Sequence, residues 1–206
     1  MTALAEPSAP PVILASASTS RAHILRAAGV PHEIEPANLD EAEVKLSLAR
    51  KGAPPPAVAE TLAALKAQHV SRRHRGALVI GADQVLECEG QLFDKPADLD
   101  QARAHLMTLR GRRHTLMAGV SLVCNGDVIW RDNDQAHLEM RDLSDDFIEW
   151  YIEQMGDPIC ESVGAYKLEG LGAQLFSAIE GDFFSILGLP LLPLLGVLRD
   201  HGVVPS

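Results

Sequence analysis

Residues 11–25 read PVILASASTSRAHIL: an apolar run enters a stretch of small and hydroxylated residues and leaves it as a helix. A run this short suits a buried strand. Hydroxylated residues cap helix N-termini. Ile24, Leu25 and Ala28 then recur at helical spacing, and Gly29 supplies the stop. A strand–loop–helix opening argues for an α/β chain. Small residues let backbone approach a ligand closely. An arginine, Arg21, beside a helix N-terminus makes a strong anion site. The expected ligand is a phosphate, held by Ser16, Ser18, Arg21 and the backbone N–H groups between them. The plainer reading is a Ser/Thr cap with a surface arginine.

Further along, APPPAVAETLAALKAQHVSRR begins a helix after its prolines, with Leu62, Leu65 and Val70 on one side. GALVIGADQVLECEG is a central strand with Asp83 expected at its C-terminal end, where α/β sheets place their chemistry. Asp98 and Gly111 bracket a helix, as do Ser144 and Gly156. Asn125-Gly126 between two alternating runs predicts a hairpin of two long antiparallel strands. HEIEPANLDEAEV reads as mostly loop, with a brief strand over residues 33–35. Glycines and prolines break FFSILGLPLLPLLGVL into a strand, a turn and a buried helix rather than a membrane span. Residues 1–11 read as a flexible tail without a secretory pattern, and 12–206 as a single domain.

A net charge of −10 over 206 residues argues against general binding to nucleic acid, which needs a broad basic surface. A small anion held by a few local cations remains compatible with it. Three isolated cysteines give no paired metal or redox motif and fit a reducing cytoplasm, each as a small core hydrophobe.

Asp83, a carboxylate on an apolar strand, suits metal binding or proton acceptance; its plain alternative is a cap to a neighbouring loop. Lys66 and Lys95 matter only if the fold carries them to Arg21. Glu33, Asp40 and Glu41 form an acidic cluster able to hold a hard cation, although Asp40 and Glu41 read better as a solvated loop. His114 reads as structural. The motifs GxxxxGK[ST], HExxH and GxSxG do not occur.

Taken in order, ILASASTSR, HEIEPANLDE, AETLAALKA, GADQVLECEGQLFDKP, ARAHLMTLRGRRHTLMAGV, GAYKLEGLGAQLF and IEGDFFSILGLPL resemble the Maf family of nucleotide pyrophosphatases, across roughly residues 12–203. The resemblance implies an elongated twisted mixed β-sheet flanked by helices, with two lobes and a central cleft. It implies hydrolysis of a nucleoside triphosphate between the α and β phosphates, with a divalent cation, Mg²⁺ or Mn²⁺, as cofactor. The expected partner is the nucleoside triphosphate, with room for a homodimer and with no nucleic acid and no membrane. Position by position, Asp83 matches the family's proton acceptor. Ser16, Ser18, Arg21, Lys66 and Lys95 match its phosphate ligands, and Glu33 its metal-linked glutamate, with Asp83 sharing the metal. Ser20, Gln84 and Glu169 match its base-selecting set. ADQV and KLEG resemble the branch associated with 7-methyl-GTP rather than that associated with dTTP and UTP. The family usually has proline and then arginine or tryptophan before the matching arginine; this chain has Thr19-Ser20 instead. The expectation is a looser loop and a lost stacking or charged contact to the base. A nucleotide-binding regulator with little turnover, and a transferase with an acceptor other than water, are the rival readings.

Overall fold

The computed structural model describes residues 9–205, so most of the expected tail, residues 1–8, lies outside the described residues. The protein is an α/β chain with a mixed seven-stranded sheet flanked by helices. The first strand, β1 (Val12–Leu14), runs parallel to β2 (Glu33–Ile34) on one side and to β3 (Leu78–Cys88) on the other. From β3 the sheet continues antiparallel through β5 (Arg113–Cys124), β6 (Asp127–Met140) and β7 (Phe176–Glu180). The short β4 (Gln91–Phe93) folds back on the far end of β3. The β5–β6 turn is the predicted hairpin: Asn125 and Gly126 both take positive φ, 52° and 90°, which a two-residue turn of this twist requires.

Side-chain alternation along β3 divides the interior. Leu78, Ile80 and Ala82 enter one core with β1, α1 (Thr19–Ala27) and α7 (Leu191–Asp200). Leu86 and Cys88, on the same face farther along, enter a second core with α4 (Leu99–Leu109) and α5 (Asp145–Met155). Gln84 falls between them, so one face of one strand serves two cores with a gap in the middle. This is the two-lobed arrangement.

The opposite face is covered by α3 (Pro55–Ser71). This helix packs close because both surfaces are bare. A Cβ on Gly81 would lie 2.0 Å from the Ala63 carbonyl oxygen, and one on Gly119 would lie 2.7 Å from the Ala59 carbonyl carbon. Helices α4 and α5 start where expected, with Asp98 and Ser144 accepting from the N–H groups of Gln101 and Phe147.

Several expectations are corrected. Residues 41–50 form a helix, α2 (Glu41–Arg50), capped by Asp40. It has no fully buried residue, so the apolar pattern that reveals most helices is weak there. Phe183–Ile186 is a short helix, α6, rather than a strand; Asp182 caps it by accepting from the Ser185 N–H. On α3, Leu62 and Val70 are buried, but Lys66 is buried where Leu65 is only partly so. Cys88 is buried, whereas Cys124 and Cys160 are partly exposed. No helix among the described residues is long and apolar enough to cross a membrane.

Candidate active site

The site begins with a break in strand pairing. Strand β1 accompanies β3 only as far as Ile80, and β4 joins it only from Leu86. Between those points Gly81–Val85 have no strand partner on that edge among the described residues. Asp83 and Gln84 occupy the middle of this open stretch. Asp83 is therefore not at the tip of its strand, as expected from the sequence, but at its centre. What ends there is the neighbour.

A cleft of about 940 Å³ opens at the break, lined among others by Ser16, Ser18, Ser20, Arg21, Lys66, Asp83, Gln84, Lys95 and Glu169. Thus every expected site residue except Glu33 reaches one cavity. Glu33 lies exposed on β2 and is not among the lining residues. Instead, a different glutamate, Glu41 from the first turn of α2, faces Lys66. Its Oε1 sits 2.9 Å from Lys66 Nζ, and it lines the cleft. Reading Glu41 as a solvated loop residue was wrong, because that reading missed the helix that aims it inward.

Lys66 and Asp83 are both nearly buried and sit 2.5 Å apart, Nζ to Oδ1. The close approach of α3 over Gly81 makes this contact. Asp83 Oδ2 is buried and makes no hydrogen bond among the described residues. One oxygen of the carboxylate is thus fixed, and the other is an open acceptor. An unpaired buried oxygen costs free energy unless something fills it, which makes it a place for water or a cation.

Arg21 is buried and spends most of its donors on the protein. Nη1 donates to the Ala82 carbonyl at 2.8 Å and to Ser16 Oγ at 3.1 Å, and Nε to the Gly188 carbonyl at 2.8 Å. It therefore satisfies part of the bare β3 edge and ties it to the loop after α6. Burial lowers its pKa, against the pull of Asp83 and Glu41. Ser18 Oγ accepts from the Arg21 N–H as the N-cap of α1, so the first turn presents N–H groups to the cleft. Lys95 forms no ion pair among the described residues. Desolvation by the cleft walls, then repulsion from Arg21 and Lys66, lowers its pKa. That crowding places three cations within one field. Lys45, which sequence reasoning passed over, also lines the cleft and pairs with Asp94 at 2.5 Å.

At the other side, Gln84 Nε2 donates to the carbonyls of Ser185 (3.1 Å) and Ile186 (2.9 Å). Its amide oxygen takes no part in these two bonds. Ser20 Oγ donates to Glu169 Oε1 at 2.9 Å, so the residue standing in place of a bulky side chain instead tethers the carboxylate.

The donor set fits a divalent cation. Glu41 and Asp83 offer two carboxylates joined at Lys66, and hard cations with few protein ligands complete their shell with phosphate oxygens and water. No cluster of three or more His, Cys, Asp or Glu side chains suited to a metal occurs among the described residues, so substrate oxygens would be part of the shell. The arrangement as a whole can grip a polyanion and present one free carboxylate oxygen to it.

Fold and cleft together define a phosphate-handling α/β protein. Residues 11–201 match the family described as Maf-like protein, and the chain belongs to that family. A Nitrobacter winogradskyi protein named nucleoside triphosphate pyrophosphatase is 52% identical over 191 residues, covering 93% of this chain and 94% of its own. One of the same name from Paramagnetospirillum magneticum is 51% identical, covering 92% and 98%. A Rhizobium etli protein named 7-methyl-GTP pyrophosphatase is 46% identical, covering 95% and 98%.

Proposed function

We propose that this protein hydrolyses nucleoside triphosphates between the α and β phosphates, releasing a nucleoside monophosphate and pyrophosphate. The observation that carries the reading is the Asp83 carboxylate, fixed by Lys66 through one oxygen and free at the other, beside three cations in one cleft. The names of the relatives support the same reaction.

In the proposed reaction, water is held at Asp83 Oδ2 and attacks the α phosphorus. Its proton passes to Oδ2, and the bond from that phosphorus to the α–β bridging oxygen breaks. Pyrophosphate leaves with the bridging oxygen and is stabilised by Lys95, Arg21 and the first-turn N–H groups of α1. Lys66 holds Asp83 in one orientation throughout. A divalent cation, Mg²⁺ or Mn²⁺, would be held by Glu41 together with substrate oxygens, beside Asp83, and would neutralise phosphate charge. The cytoplasm, where thiols stay reduced, is the compartment this reading assigns.

For the base, the two readers are both acceptors: the Gln84 amide oxygen and the Glu169 carboxylate. Guanine offers adjacent donors at N1 and N2, and 7-methylation adds a positive charge that a carboxylate favours. This supports a preference for 7-methyl-GTP, in keeping with the Rhizobium relative's name. Uracil and thymine, the alternative, offer one donor at N3.

The test is a panel of 7-methyl-GTP, GTP, dTTP, UTP and CTP with Mg²⁺ or Mn²⁺, scored for pyrophosphate. Release from any member confirms the reaction, and the order of kcat/KM gives the base. Tight nucleotide binding without pyrophosphate would favour the regulator. Release that needs an added acceptor would favour the transferase. Gln84→Thr with Glu169→Gln is expected to move preference toward UTP and dTTP; unchanged relative kcat/KM would defeat the base assignment.

A further inference from the structure

His114 lies on β5, 1% exposed, and is not among the residues that line the cleft. Its Nε2 is 2.8 Å from the Tyr166 hydroxyl, itself buried. Tyr166 lines the cleft and sits three residues before Glu169. The backbone around it is shaped to hold that one ring. A Cβ on Gly164 would lie 2.2 Å from Tyr166 Cε1, so only glycine fits beneath the ring. Ala165, fully buried, takes φ +57°, a left-handed conformation that non-glycine residues adopt at a cost. Phe176 closes the other side, edge-on with centroids 4.9 Å apart. Beyond Tyr166, Gly172 lets the chain fold over the Lys167 backbone, where a Cβ would lie 2.4 Å from the carbonyl oxygen. Glu169 lies within this segment, tethered by Ser20.

This loop is held by isolated turn bonds, Ala165 N–H to the Ser162 carbonyl and Gly170 N–H to the Lys167 carbonyl, and by the Lys167–Glu161 ion pair, rather than by a ladder. Its geometry depends on the ring that anchors it, and the ring's hydroxyl has one strong partner. Tyr151 donates to the Ala165 carbonyl at a longer 3.4 Å and supports the same turn from below.

We infer that His114 is a positioning residue for base selection: through the Tyr166 hydroxyl it fixes the 164–172 loop and hence the place of the Glu169 carboxylate. The inference rests on the proposed reading of Glu169 as a base-selecting group. Tyr166 lines the cleft and His114 does not, so His114 acts at one remove.

The experiment compares Tyr166→Phe, His114→Phe and Glu169→Gln in the full chain. Tyr166→Phe keeps the ring and removes only the hydroxyl, so it remains informative if His114→Phe folds poorly. Hydrogen exchange at the amides of residues 167–170 should quicken at least tenfold in both loop variants, the scale of one lost buried hydrogen bond. The ratio of kcat/KM between GTP and UTP should move in the same direction as in Glu169→Gln, through KM rather than kcat. Binding of inorganic tripolyphosphate, a probe without a base, should stay within about twofold. Tyr166→Phe combined with Glu169→Gln should shift the ratio no further than Glu169→Gln alone. Unchanged loop exchange in both loop variants, or full additivity with Glu169→Gln, overturns the inference. An unchanged ratio in Glu169→Gln, with faster loop exchange in Tyr166→Phe, overturns the base-reading step while leaving the anchoring of the loop demonstrated.

Discussion

Lys66 Nζ lies 2.5 Å from Asp83 Oδ1 and 2.9 Å from Glu41 Oε1, so one ammonium joins a carboxylate of the sheet to a carboxylate of α2. The two acids come from elements far apart in sequence, and the lysine that joins them rides on α3. Removing any one of the three changes what the other two face.

Asp83→Asn keeps the shape and the contact with Lys66 but removes the oxygen proposed to accept the proton. Turnover should fall by about 10²-fold or more, with nucleotide affinity retained. Pyrophosphate release and calorimetric binding together check this. Near-normal turnover would remove Asp83 from the accepting role.

Glu41 and Glu33 are separated by a paired substitution. Glu41→Gln should raise the Mg²⁺ concentration needed for half-maximal rate by about tenfold, the loss of one carboxylate from a shell with few protein ligands. Glu33→Gln, exposed and outside the cleft, should leave that midpoint unchanged. The reverse result would restore the role the family resemblance assigned to Glu33.

Gly81→Ala tests whether the approach of α3 sets the chemistry. The added methyl meets the Ala63 carbonyl oxygen, and a helix backbone cannot yield as a side chain can. Destabilisation of about 1–3 kcal/mol is expected from the overpacking. Turnover should fall as well, because Lys66 is carried off Asp83 with the helix. Denaturant unfolding and kcat, measured on one preparation, separate the two effects.

Burial holds the His114 imidazole down at about 4, against an ordinary value of 6.5. Between those values the unfolded chain binds the proton that the folded chain refuses. This contribution is therefore intact above the ordinary value and is lost as the pH falls. About 2 kcal/mol should disappear between pH 7 and pH 5. Urea unfolding at the two pH values measures it, and His114→Phe should flatten the difference.

Much of the scaffold was readable from local chemistry. Asp98 and Ser144 announced their helices because capping is decided within four residues. Asn125-Gly126 announced its hairpin because the turn needs two left-handed residues. Four residues that line the cleft, Arg21, Lys66, Asp83 and Lys95, were readable as candidates, though their convergence came from the resemblance and not from spacing. Helix α2 was missed because it packs without a fully buried residue, so no apolar stripe marks it. Missing the helix also hid Glu41, whose orientation depends on the first turn. Asp83 was assigned to a strand end because sequence shows where a strand turns polar, not where its neighbour stops. The ties from Arg21 to Ala82 and Gly188, and from His114 to Tyr166, join segments 61, 167 and 52 residues apart. No local pattern carries such information.

The bare stretch of β3 between its two short neighbours has a bearing on solubility. An exposed strand edge ordinarily invites another sheet to add to it, which is a route to aggregation. Here the opening is recessed behind the start of α1, the side of α2 and the 164–172 loop, and one of its carbonyls is already claimed by Arg21. A compact charged molecule can enter such a recess, while an incoming polypeptide strand, flanked by its own sheet, would collide with the walls. The protein thus keeps an unfinished edge open to small molecules without offering it to other chains.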